Sequence, residues 1–193
     1  MNLIPRLKLN WYDDRQTKRS VNSGEYDFVI APEYILDLGA HKGFATEYFA
    51  TKYPHAIIHA YEPNPTLLET LASRTKKYPN VSVFTDAISD HDGMVRFKVL
   101  ERDVSSQICE DGIEVPCITL QTAISRLGTP VSLKIDIEGA EYDALSHLQG
   151  VREVVGELHP EKAGRSNEEA RTLLSRFKNV SIGIDRKGLF RAV

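Results

Sequence analysis

Four short segments of this chain combine glycines, carboxylates and prolines in orders that suit a ligand site. They are Asp37-Leu38-Gly39-Ala40-His41-Lys42-Gly43, Tyr61-Glu62-Pro63-Asn64-Pro65, Thr85-Asp86-Ala87-Ile88-Ser89-Asp90 and Leu133-Lys134-Ile135-Asp136-Ile137-Glu138-Gly139-Ala140-Glu141. In the first, Gly39 and Gly43 permit a tight turn that lets a ligand approach the backbone of Gly39 and Ala40. The spacing is G-x-x-x-G, with His41 where a dinucleotide fingerprint has its second glycine. Asp37 further opposes a bound pyrophosphate and suits a cationic or amine-bearing ligand.

S-Adenosylmethionine carries both an amine and a sulfonium, and the remaining segments suit its adenosine. Glu62 stands 23 residues after Gly39, the place of an acid that accepts ribose hydroxyls about 20 residues beyond such glycines. Asn64 reads equally well as a ligand contact or as the cap of the next helix. Asp86 is placed to accept from an adenine amino group, and Ala87 leaves room for the ring. In the fourth segment Lys134 and Asp136 interrupt an apolar run. Burying such a pair costs several kcal/mol unless the two meet each other or a ligand.

The elements that must position these residues alternate between strand and helix. Apolar runs at 34–38, 56–61, 81–84, 131–137 and 153–158 read as buried strands, four of them followed by helical stretches at about 43–52, 65–77, 140–148 and 167–178, the last capped by Asn167. Residues 122–127 form a further expected helix. Residues 94–100 and 113–118 read as an antiparallel pair within an insertion, 93–120, between the third and fourth strands. Residues 180–185 and 189–193 read as a terminal hairpin. The pattern predicts one α/β domain over 1–193, a doubly wound, Rossmann-like, mostly parallel sheet whose ligands sit at the carboxyl ends of the strands. Residues 1–30 are polar and poorly periodic, as a mobile lid or frayed arm would be.

The segments D-L-G-A-H-K-G, Y-E-P-N-P, A-I-S-D-H-D-G and L-K-I-D-I-E-G-A-E, with Gly156-Glu157-Leu158-His159-Pro160, resemble the FkbM family of S-adenosylmethionine-dependent methyltransferases. The resemblance spans about Tyr34 to Pro160, with the motifs in family order. It implies a class I methyltransferase fold, with Asp37, Gly39, Gly43, Glu62, Asp86 and Asp136 around the cofactor. It also implies O-methylation of a hydroxyl on a sugar or small molecule. Methyl transfer to oxygen needs an acceptor for the hydroxyl proton. The candidates are Asp136, Glu138, His159 and, less favoured, His41. The unperturbed pKa of His159, near 6.5, suits that work. A divalent metal on Asp136, Glu138, Glu157 and His159 is a disfavoured alternative.

Composition narrows the rest. A net charge of -3 lacks the basic footprint of a nucleic-acid binder, and an [N/D]-P-P-[Y/F/W] element for base methylation is missing after the fourth strand. Pro116-Cys117 superficially matches a cytosine-methylating nucleophile but falls within the insertion. A nucleic-acid methyltransferase and a non-catalytic cofactor-binding module are the rival readings. Cys109 and Cys117 read as free thiols of a reducing compartment. Without an apolar run of membrane-span length, the expected partner is a small-molecule or glycan hydroxyl, with no membrane, in the cytoplasm.

Overall fold

A computed structural model describes residues 14–99, 107–109, 111–183 and 188–193. Residues 14–22 are helical (α1). The chain then continues through β1 (Tyr34–Leu38), α2 (Phe44–Lys52), β2 (Ile57–Tyr61), α3 (Leu68–Thr75) and β3 (Val81–Phe84). Strands β4 (Ala87–Ile88), β5 (Gly93–Lys98), β6 (Gln107–Ile108) and β7 (Ile113–Ile118) come next. The last part comprises α4 (Leu120–Leu127), β8 (Val131–Ile135), α5 (Glu141–Leu145), β9 (Val151–Glu157), α6 (Pro160–Ala163), α7 (Asn167–Leu173), β10 (Val180–Ile182) and β11 (Leu189–Ala192).

The main sheet has the order β10-β11-β9-β8-β1-β2-β3. Its five central and flanking strands from β9 to β3 run parallel, and β11 and β10 are antiparallel additions. This is the doubly wound sheet with the terminal hairpin that the apolar runs predict. The order reverses between β1 and β8, so the ligand crevice is expected there. Every residue of β8 is buried, and so are Ile35, Leu36 and Leu38 of β1. Strands covered on both faces are mostly apolar, and Asp37 and Lys134 are the charged residues that interrupt these two.

The insertion is larger than the expected hairpin. β5 and β7 pair antiparallel, but β6 joins β5, and β4 adds parallel to β7, making a second, four-stranded sheet. Leu100, the expected end of the first insertion strand, lies outside the described residues. Helix ends also differ from expectation. Residues 65–67 form a turn before α3, and α5 and α7 are shorter than the apolar pattern suggests. The cap of α7 is Ser166, not Asn167. Ser166 and Glu169 form a reciprocal capping box, and this satisfies backbone donors that would otherwise be orphaned.

Residues 14–30 pack onto the domain. Val21, Tyr26 and Phe28 are buried in a cluster with Ile35, Phe44 and Phe49. Glu153, wholly buried on β9, accepts hydrogen bonds from the amides of Val29 at 2.7 Å and Ile30 at 3.1 Å. Residues 1–13 of the expected arm lie outside the described residues. Both cysteines are free thiols, Cys117 buried and Cys109 partly so. Among the described residues no helix is long and apolar enough to cross a membrane.

Candidate active site

Strand register builds the site. Leu38 of β1 pairs with Tyr61 of β2 on one side and with Ile135 of β8 on the other. Gly39, Glu62 and Asp136 therefore leave the sheet side by side at its carboxyl edge. Above them lies a cavity of about 660 Å³, within the range of cofactor and small-molecule sites. Gly39, Ala40, Glu62, Asp86, Ala87, Asp136 and Glu138 all line it.

Gly39 has φ +78°, and a Cβ there would collide with the Asp136 carbonyl oxygen. Glycine is thus required for β1 and β8 to converge at this edge. The amides of Gly39 and Ala40 both donate to the Tyr61 carbonyl, at 3.0 and 2.9 Å. Gly43 lies away from the cavity. It adopts φ +81° at the start of α2, and a Cβ would press on Leu71 of α3. It serves helix packing, in place of the ligand contact expected of it.

Asp37 is also displaced from its expected role. It is wholly buried beneath the cavity, where Thr46 Oγ1 donates to it at 2.6 Å and Lys134 Nζ lies 3.2 Å away. Lys134 Nζ directs its hydrogen bonds to the carbonyls of Gly39 and Leu38, at 2.7 and 3.2 Å. Burial opposes the ammonium, but Asp37 and Asp136 outweigh it and hold the pKa of Lys134 above its ordinary value. The pair neutralises itself and stiffens the glycine turn.

Glu62 faces the cavity almost fully buried. Its two oxygens accept the amides of His41 at 2.7 Å and Asn64 at 2.9 Å. Burial pushes this carboxyl up to about 7 against the lowering pull of those amides. Asn64 itself lies outside the cavity and accepts from the amide and hydroxyl of Thr66. Asn64 therefore closes the turn before α3, whose N-cap position is Leu67, and is not the helix cap expected of it.

Asp86 accepts from Arg126 Nη1 at 3.1 Å, and that guanidinium sits 5.8 Å from the Phe84 ring centroid. Phe84 in turn stacks on Tyr61 at 4.9 Å. Ala87, in β4, borders this end, and Phe97 and Ile108 of the second sheet complete its apolar wall.

The opposite end is acidic. β8 stops at Ile135, and Asp136 is 24 % exposed. It therefore escapes the burial cost that the apolar run implied. Glu138, at φ +58°, pairs closely with Lys162 and lies 3.5 Å from His159 Nε2. His159 Nδ1 meets Glu141 Oε1 at 2.9 Å, while Nε2 is 4.0 Å from both Asp136 and Glu157. Glu141 is wholly buried and accepts from the amides of Ile137 and Gly139.

Burial disfavours the imidazolium, but Glu141, Glu138 and Asp136 prevail and raise His159 to about 9. His159 is therefore a cation at neutral pH. A protonated imidazole has no lone pair to offer, so His159 would accept a hydroxyl proton only after releasing its own. Asp136, Glu157 and His159 also present ligand atoms within 4.8 Å of one another, a set able to hold a metal ion. His159 would first have to release its proton.

Several cavity residues escaped the motif reading. Gln16, Arg19, Ser20, Glu25 and Tyr26 come from the N-terminal segment. The one signal for them in the sequence is the apolar trio Val21, Tyr26 and Phe28 within an otherwise polar stretch.

The geometry joins all four motif segments at one cavity, and comparison with known proteins identifies the family. The methyltransferase FkbM domain matches residues 37–180. This chain belongs to the FkbM methyltransferase family. No curated protein matches it in sequence. Among solved structures, the FkbM methyltransferase of Methylobacillus flagellatus KT superposes with a TM-score of 0.58 at 16% identity. That match covers 83% of this chain and 43% of the other. The precorrin-6y C5,15-methyltransferase of Geobacter metallireducens GS-15 gives 0.54 at 12% identity, covering 92% and 87%. An rRNA methylase of Streptococcus thermophilus gives 0.50 at 8% identity, covering 91% of each. At such identities the likeness is one of fold, that of class I methyltransferases. The FkbM match leaves out residues 14–30, and so leaves out Tyr26.

Proposed function

We propose that this FkbM-family chain transfers a methyl group from S-adenosylmethionine to a hydroxyl of a small molecule or sugar. The supporting observation is the alignment of Glu62, Asp86 and Asp136 around one cavity at the point where strand order reverses. Glu62 is the acceptor for the ribose hydroxyls. Asp86 accepts from the adenine amino group once it is freed from Arg126, and the apolar residues Ala87, Phe97 and Ile108 flank the base. The acidic end, with Asp136, Glu138 and Glu157, complements the cationic end of the cofactor.

When bound, S-adenosylmethionine supplies an electrophilic methyl on a sulfonium. The chain must orient the acceptor oxygen in line with it and take up the hydroxyl proton. Asp136 and Glu138 are the acceptors for that proton. His159, as a cation held by Glu141, anchors the carboxylates around it. The carboxylate-lined site disfavours a nucleic-acid acceptor, whose phosphates it would repel.

The test is calorimetric titration with S-adenosylmethionine, S-adenosylhomocysteine and NAD, followed by a screen of hydroxyl acceptors for methyl transfer. Micromolar binding of the first two, about -8 kcal/mol, with none of NAD and transfer to a hydroxyl, is expected. Binding with no transfer to any acceptor would favour the non-catalytic module. Absence of binding would overturn the cofactor assignment.

A further inference from the structure

Residues 14–30 lie outside the part of the chain that matches the family, yet they form one wall of the cavity. Their attachment is specific. The carboxylate of Glu153 fastens Val29 and Ile30 by their amides, and Asp27 takes the Tyr48 hydroxyl at 2.6 Å and Lys52 Nζ at 2.5 Å. At the other end, Asp14 pairs with Lys42 of the glycine turn at 2.9 Å. Between these anchors Tyr26 is carried into the site. It is 6% exposed, its ring lies 5.5 Å from Lys134 Nζ, and its hydroxyl donates to Asp136 Oδ2 at 3.4 Å.

We propose that Tyr26 is a positioning residue for methyl transfer, its phenol aiming the Asp136 carboxylate at the sulfonium end of the cofactor. This rests on the function proposed above. Three features of the structure carry it. Asp136 stands among like charges, with Glu138 and Glu157 beside it on the cavity wall. Glu138 and Glu157 repel it and the His159 cation 4.0 Å away draws its Oδ1 toward the acidic end, so a donor on its other oxygen decides where it points. A phenol stays protonated at neutral pH and so is a donor that adds no charge to this acidic end. Finally, Glu153 fixes the backbone three and four residues beyond Tyr26, and this keeps the phenol in place.

A carboxylate aimed at the sulfonium favours S-adenosylmethionine over S-adenosylhomocysteine, which lacks that charge. A residue that only closed the cavity would affect both alike. The experiment titrates both ligands into the wild-type chain, Tyr26→Phe, Asp136→Asn and the double variant, with thermal unfolding of each. Tyr26→Phe keeps the ring and its contact with Lys134. Each single variant is expected to weaken S-adenosylmethionine about fivefold, a modest hydrogen-bond effect, while S-adenosylhomocysteine changes less than about twofold. The double variant is expected to be no worse than Asp136→Asn, the mark of two residues acting through one contact.

Equal losses for both ligands, additive losses in the double variant, or unchanged affinity in Tyr26→Phe would overturn the proposal. So would a fall in thermal stability of Tyr26→Phe that accounts for the change. A wild-type chain that binds neither ligand would instead overturn the methyltransferase reading, a result distinct from all of these.

Discussion

Lys134 and Asp37 lie side by side on adjacent parallel strands, Nζ to Oδ1 3.2 Å, with 3% and 0% of their side chains exposed. Lys134 also spans the turn beneath the cavity through the Leu38 and Gly39 carbonyls. Removing one partner leaves the other as an uncompensated buried charge. Lys134→Met is expected to lower stability by about 3–5 kcal/mol, and Asp37→Asn combined with it to restore most of that. Urea unfolding of the two variants measures this. A single variant as stable as wild type would mean that Asp37 finds another partner.

Glu62 gives the site a pH dependence. Burial disfavours the charge and pushes its carboxyl up to about 7. Ribose hydroxyls donate to the ionised form, so a bound cofactor lowers this pKa and its binding expels a proton. S-Adenosylhomocysteine is therefore expected to bind about tenfold more weakly at pH 6 than at pH 8. Glu62→Gln is expected to flatten the profile. A flat profile for the wild-type chain would remove Glu62 from the ribose subsite.

His159 makes stability depend on pH in the opposite sense. Its folded pKa of about 9 lies above the ordinary 6.5, against the cost of burial, because Glu141 and Glu138 hold the charged form. The stabilisation is fully present below about pH 6.5 and is lost as pH rises through about 9. Denaturation midpoints between pH 6 and 9.5 are expected to fall for wild type, and more shallowly for His159→Gln. Parallel curves would show that the charge on His159 contributes nothing to folding.

Asp86 discriminates the base. Replacing the adenine amino group with the carbonyl of an inosine analogue turns a donor into an acceptor facing a carboxylate. S-Inosylhomocysteine is expected to bind at least tenfold more weakly than S-adenosylhomocysteine, the cost of a charged hydrogen bond of about 1.5–3 kcal/mol. Asp86→Ala is expected to erase the difference. If the variant still discriminates, the amino group is read elsewhere, and Asp86 serves only Arg126.

The α/β class, the five parallel strands, the terminal hairpin and the motif segments at strand ends are legible in the chain read locally. These depend on short-range rules: apolar runs for strands buried on both faces, and glycines where φ must be positive. That Gly39, Ala40, Glu62, Asp86, Ala87, Asp136 and Glu138 come together at one cavity was legible for the same reason, since a doubly wound sheet collects whatever follows its strands. The remaining contacts arise only when the elements pack. Asp37 turned to Lys134 and Gly43 to Leu71, contacts set by how β8 and α3 pack. The charge of His159 depends on Glu141, 18 positions away, and Tyr26 reaches Asp136 across 110. Spacing along the chain is silent about such pairs, because the interaction energy depends on distance and burial in the folded molecule.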